Sequence, residues 1–158
     1  MILPSSITTR LQYQHKSLIE LIDGLSDSQI RMAVITGKWS IFEQIVHLET
    51  YQHVFISRIK TMLDSNGVQF PVYSAETDPL FHEHLGKSSH EIIHDLMTVR
   101  KELSSGMFTF SENDLARRAI HPVYGEMDMI GWLNFFLLHE SHHLFAIFKL
   151  AALTRAGT

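Results

Sequence analysis

An all-α fold, a four-helix bundle with a long crossover between its second and third helices, is what this 158-residue sequence predicts. Apolar residues recur at helical spacing in four separate stretches, two of those stretches open on serine capping boxes, and strand signals are nearly absent. The composition agrees. With 45% hydrophobic and 19% charged residues, and only Gly 8 and Pro 4, the chain has apolar material for one core. It reads as a single domain over residues 1–158.

The elements follow in order. Ile7, Leu11, Leu18, Ile22 and Leu25 share one face and predict a first helix from about Ser6 to Asp23, stopped near Gly24. Ser40-Ile41-Phe42-Glu43 fits the S/T-x-x-E capping box and opens the second. Its stripe is Ile41, Ile45, Leu48, Phe55, Ile59 and Met62, and it ends before Asn66-Gly67. Residues Gln69 to Lys87 hold two prolines and no sustained period, which predicts a long connection. Ser88-Ser89-His90-Glu91 is a second capping box, with Ile92, Leu96, Val99 and Leu103 facing inward behind it. A loop from Phe110 to Gly125 leads to a fourth helix from about Asp128 to Ala152. Only Gln69–Tyr73 and Ala119–Tyr124 alternate even weakly, and each contains a proline.

Charge and composition exclude several functions. A net charge of −4 argues against a nucleic-acid or anionic-membrane binder. Cys 0 excludes disulfides, thiolate nucleophiles and Cys-based metal sites, so any metal must be held by His and carboxylates. The longest apolar stretch, Gly131–Leu138, is broken by Asn134 and falls far short of the ~20 residues of a membrane span. Met1-Ile2-Leu3-Pro4 has no secretory pattern, and a cytoplasmic protein is expected.

The sequence carries His 11, and helical phase sorts them. His139 and His143 stand four apart in the fourth helix, one turn above the other, in the sector of Trp132, Phe135, Phe136 and Leu150. Two imidazoles buried side by side must satisfy four ring nitrogens, and a metal ion does so directly. His142 lies about 60–100° to one side. His90 and His94 have the same spacing but point roughly 150° away from the apolar face of the third helix, as a solvated pair does. His53, His82 and His84 receive no role. The tail after His143 contains no ligating residue, so a third ligand must come from upstream. His47, at the edge of the second helix's stripe, and His15, on the inner face of the first, are both candidates, and phase does not choose between them. A pocket-lining place for His15 stands beside that of a hydrogen-bonded core residue.

His139-Glu140-x-x-His143 also matches H-E-x-x-H, in which two helix histidines bind zinc and the Glu is general base. The downstream third ligand of that pattern is missing, as is a strand to pair with a peptide, so a peptidase is not expected. Glu140 remains the one candidate base for a hydrolase.

The run Gly37-Lys38-Trp39-Ser40-Ile41-Phe42-Glu43-Gln44-Ile45-Val46-His47-Leu48 is similar to the second-helix signature of the DinB-like (YfiT-like) metal-binding proteins, where a Trp-Ser pair precedes a His eight residues after the Trp. His121-Pro122-Val123-Tyr124-Gly125, Trp132 and His139-Glu140-Ser141-His142-His143-Leu144 resemble the family's loop and last helix. The resemblance spans nearly the whole chain. It implies a four-helix bundle of unusual connection order and a three-His site on His47, His139 and His143. Family members often carry a Gln soon after the last ligand, where this chain has Ala146-Ile147.

Three neutral imidazoles leave an ion's charge uncompensated and a position open, which is a catalytic rather than structural layout. The cofactor expected is one divalent transition metal, with zinc, nickel and iron all compatible with His ligands. Family members of known activity resemble transferases of low-molecular-weight thiols, and others are named as metal-dependent hydrolases. The resemblance therefore implies a thiol transferase acting on small electrophiles, a hydrolase using activated water, or a metal-binding protein without chemistry. Absence of Cys suits the first, because the thiol then comes from a cosubstrate. Ile130, Leu133, Leu137, Leu144 and Phe148 lie on the far side of the fourth helix, leaving it apolar nearly all round and predicting a homodimer.

Overall fold

The computed structural model describes residues 2–157. Helix α1 (Ser5–Tyr13) is followed by a tight 3-10 turn at Gln14–Lys16 and by α2 (Ser17–Ile22). The first helix is thus not continuous. Tyr13 leaves helical geometry at φ −128°, and Gln14 Nε2 donates to the Leu137 carbonyl and to Glu140 Oε2, both at 2.8 Å. These tertiary bonds outweigh the local preference for an unbroken helix. A short α3 (Asp27–Arg31) follows, opened by a Ser26–Gln29 capping box that sequence periodicity was too brief to reveal.

Helix α4 (Ile41–Asp64) starts where expected, with Ser40 Oγ accepting from Glu43 N and Glu43 returning the bond. The connection after it is partly ordered. It carries strand β1 (Val68–Gln69), a 3-10 turn at Ala75–Thr77 and α5 (Pro79–His84), with Asp78 as N-cap and Pro79 at the first helical position, where its missing N–H costs nothing. Helix α6 (Ser89–Met107) opens on the Ser88–Glu91 box. Then come α7 (Glu112–Leu115), strands β2 (Arg118–His121) and β3 (Gly125–Asp128), and α8 (Met129–Ala156) capped by Asp128.

The expected near-absence of strands is corrected by a small sheet in the order β1-β2-β3, parallel then antiparallel. Pro122 sits in the hairpin turn rather than in a strand, so it breaks no ladder bond. Gly125 adopts φ 75°, a conformation that costs a side-chain-bearing residue more, and closes that turn. The sheet pins the start of the connection beneath α8, since Trp132 Nε1 donates to the Ala119 carbonyl at 3.2 Å.

Helices α4, α6 and α8 pack together, with α1 and α2 laid along α8. Because α1 and α2 cover it, much of the second apolar face of α8 is internal: Leu133, Leu137 and Leu144 are buried in this one chain. The apolar residues α8 leaves exposed are Leu138, Phe145, Phe148 and Leu153. No helix among the described residues is long and apolar enough to cross a membrane.

A polar network crosses this core. Arg100, 1% exposed, pairs with Glu140, 2% exposed, through both carboxylate oxygens. Arg100 Nε also donates to Gln52 Oε1 at 2.8 Å, and Gln52 donates to the Leu96 carbonyl. The network joins α4, α6, α8 and the turn at Gln14. Glu140→Ala, which strands a buried guanidinium, is expected to destabilise the fold by about 3–5 kcal/mol in urea unfolding. Glu140→Gln, which keeps hydrogen-bonding atoms, is expected to cost less; equal stability of wild type and both variants would contradict the network's role.

Candidate metal centre

Residue positions on two helices build the site. His139 and His143 are one turn apart on α8, and His47 lies two turns into α4, which packs against α8. The three Nε2 atoms converge. His139 Nε2 lies 3.0 Å from His47 Nε2 and 3.1 Å from His143 Nε2, and ligating atoms of all three fall within 4.8 Å of one another.

Burial dominates their electrostatics. It lowers His47 to about 4, His139 to about 3 and His143 to about 2, and neighbouring imidazoles add to the depression at His139 and His143. All three rings are therefore neutral at pH 7, the form that donates a lone pair. Gln44 sets one tautomer: His143 Nδ1–H donates to Gln44 Oε1 at 2.6 Å, which leaves Nε2 of His143 as a bare acceptor. The Nδ1 atoms of His47 and His139 have no hydrogen-bond partner.

The residues fit a divalent ion. A tetrahedral ion with ~2.0–2.1 Å bonds to nitrogen sets ligand atoms about 3.3 Å apart, close to the spacing here. Nε2 of His143 is a bare acceptor, and an ion would take the facing nitrogens of the other two rings as well. Aromatic rings wall the site: Trp39 lies 5.2 Å from His47, Tyr51 4.2 Å from His139 and Tyr73 6.0 Å from His47, centroid to centroid. His139 opens on a cleft of about 620 Å³ whose lining includes Tyr124, Asn134, Phe135, Leu138 and His142.

Other expected site residues lie elsewhere. Glu140 is corrected as a base: Arg100 and Gln14 engage its oxygens inside the core. Its place beside His139 in sequence turns it about 100° around the helix, toward α6. His15 is buried in the 3-10 turn, lowered to about 4 by burial and by the Arg100 charge, and lies outside the converging group. His90 and His94 are exposed, as their phase predicts. His84, given no role from sequence, is buried: its Nδ1–H donates to Glu49 Oε2 at 2.6 Å, while His53 Nε2–H donates to the other oxygen at 2.8 Å. Gln44 was also missed, although its position three residues before His47 puts it on a neighbouring part of the same face.

Fold and cluster together define a helical bundle with an interior three-histidine group shared by two helices. The chain belongs to the DinB superfamily, whose model matches residues 10–147. It is similar to YuaE, an uncharacterized protein of Bacillus subtilis (strain 168), with 27% identity over 143 residues, 78% of this chain and 83% of that protein. Its fold is similar to that of YfiT from Bacillus subtilis, described as a probable metal-dependent hydrolase with an unusual four-helix bundle topology. That likeness has a TM-score of 0.78 at 18% identity and covers 96% of this chain and 86% of that one.

The depressed values give the pH dependence a sign. Between pH ~6.5, where unfolded imidazoles titrate, and about 4, the unfolded chain binds protons that the folded cluster refuses. The contribution of these rings is thus full above pH ~7 and lost as pH falls. Thermal unfolding of the metal-free chain from pH 7.5 to 5 is expected to show that loss, and added zinc to raise the unfolding temperature most at the upper end. Substituting His143 by Leu is expected to flatten the slope and abolish the zinc effect; an unchanged zinc effect in that variant would remove His143 from the site.

Proposed function

We propose that His47, His139 and His143 hold one divalent transition metal, and that the chain transfers a low-molecular-weight thiol onto a small electrophile. The carrying observation is the convergence of three neutral imidazoles at the wall of an open cleft. When bound, a divalent ion with a free position supplies Lewis acidity that favours the ionised form of a nearby thiol or water. The chain does the rest. His139 lies where the cleft meets the cluster, so a reactant in the cleft has access to that position. Tyr124, Phe135 and Leu138 offer apolar contact to the electrophile. His142, exposed and lining the same cleft, is placed to take the thiol's proton; sulfur then bonds to the electrophilic carbon, whose leaving group departs with the electron pair.

Hydrolysis is the second reading, favoured by the description of the structural neighbour as a probable metal-dependent hydrolase. Water, with a much higher intrinsic pKa than a thiol, makes the greater demand for a base, and Glu140 is committed to Arg100. That tips the balance toward the thiol.

The test is conjugation of small thiols to a generic electrophile by metal-loaded protein, with elemental analysis of wild type, His47→Ala, His143→Ala and His94→Ala. A metal-dependent rate that needs thiol, and is lost with the metal in the first two variants only, is expected. Ester cleavage without thiol would instead establish the hydrolase, and no metal in the wild type would end both readings.

We also infer a homodimer, now through a strip that shares only Phe148 with the one periodicity indicated. Leu138, Phe145 and Phe148 form an exposed apolar edge of α8, with the last two rings stacked at 6.2 Å. Light scattering at micromolar concentration is expected to give a dimer that Phe145→Asp converts to monomer; a monomeric wild type contradicts it.

A further inference from the structure

The chain buries two arginines, and among the described residues only one of them has a countercharge. Arg100 has Glu140. Arg58, 6% exposed, forms no ion pair with any described carboxylate. A buried cation without an anion is costly, and folded chains rarely carry one without cause. Its hydrogen bonds are weak substitutes: Nη1 donates to Tyr51 Oη at 3.4 Å and Nη2 to the Pro71 carbonyl at 3.1 Å. Phe70 and Trp132 rings lie 5.3 and 5.7 Å from the guanidinium carbon. Of five N–H groups, three remain for something else.

What they face is informative. Arg58 lines a cavity of about 280 Å³ together with Tyr51, Tyr73, His121, Tyr124 and His139. That cavity therefore has the guanidinium in one part of its wall and a member of the three-histidine group in another. Burial lowers His121, and the Arg58 charge adds to that effect. Tyr51 stays a neutral phenol, pushed up to about 12 by burial, and its hydroxyl accepts from Arg58, so its own proton is free to be donated. The neighbouring acid, Asp78, accepts from Tyr73 Oη and caps α5, and it pairs with Tyr73 rather than Arg58.

We propose that Arg58, helped by the Tyr51 hydroxyl, is the anchor for the carboxylate of a small carboxylic acid whose other end reaches the His47–His139–His143 centre. This rests on the metal reading above and specifies its substrate class. A carboxylate matches the planar fork, which accepts two parallel bonds. Arg58 is the one permanently charged side chain in this cavity wall, and a single guanidinium matches the single charge of a carboxylate. Arg58 determines specificity by fixing one end of the reactant; it performs no bond-making step.

The test uses full-length protein loaded with cobalt(II), whose thiolate absorption band reports sulfur at the ion. Mercaptoacetate, mercaptopropionate and mercaptobutyrate are titrated beside the mercapto-alcohol of each length. At least one acid is expected to bind about tenfold or more tighter than its alcohol, as a charge-assisted pair implies. Arg58→Met is expected to erase that preference while leaving the alcohols' affinity and the cobalt band in place, and Arg58→Lys to restore part of it. Equal affinity of every acid and its alcohol in the wild type, with the band present, overturns the anchor and leaves the metal reading standing. If no thiol gives the band, the thiol reading fails, and calorimetry of butyrate against butanol on metal-free protein decides the anchor: butyrate heat lost in Arg58→Met supports it, and no butyrate heat overturns it.

Discussion

Three imidazoles from two helices, packed against one another in the interior, are the contact around which the rest of the chain is arranged. His47 rides on α4, while His139 and His143 ride on α8, so their approach depends on where those helices sit relative to each other. Burial keeps the rings uncharged, which removes mutual repulsion but also strips them of water. Gln44 then commits the His143 ring to one tautomer. The result is a cluster in which Nε2 of His143 is a bare acceptor beside the facing nitrogens of His47 and His139.

Helix placement is held by features remote from the imidazoles. The Ser40 and Ser88 capping boxes fix where α4 and α6 begin. The Arg100–Glu140 pair, with Gln52 and Gln14, ties α6, α8, α4 and the break after α1 into one network. Such a pair adds less stability than an apolar core of equal volume, but a half-made pair is costly, and that penalty disfavours any register in which the helices slide. The sheet performs a comparable task at the other end, where β2 is bonded to Trp132.

Helical phase made much of this legible. His139 and His143 were visible as a pair because a four-residue step keeps side chains on one face, and His90 and His94 were separable from them by the same rule. His47 and His15 were not separable that way, since phase says nothing about which helix lies opposite; the family motif around Trp39-Ser40 decided. His15 was placed on a helix that the fold breaks at Gln14, and that break follows from bonds to Leu137 and Glu140 more than a hundred residues away. Glu140 misled because sequence adjacency to His139 hides a rotation around the helix. The hairpin escaped because four-residue strands offer too few alternations, and Pro122 looked like a breaker where it is a turn residue. His84 pairs with Glu49 across 35 positions, a contact that no local spacing encodes.

Helix α4 shows why the centre needs a long element. Four, seven and eleven residues onward from a given position return to nearly the same helix face, so His47, Tyr51, Val54 and Arg58 form one stripe three turns long. Tyr51 and Arg58 on that stripe both line the cavity reached by His139. Gln52 turns instead to α6 and the Arg100 network, and Glu49 to α5 through His84. One helix thus presents His47 and the Arg58 cation along one side while two other sides lock it to its neighbours. A shorter helix has room for His47 or for Arg58 but not for both, because three turns separate the two.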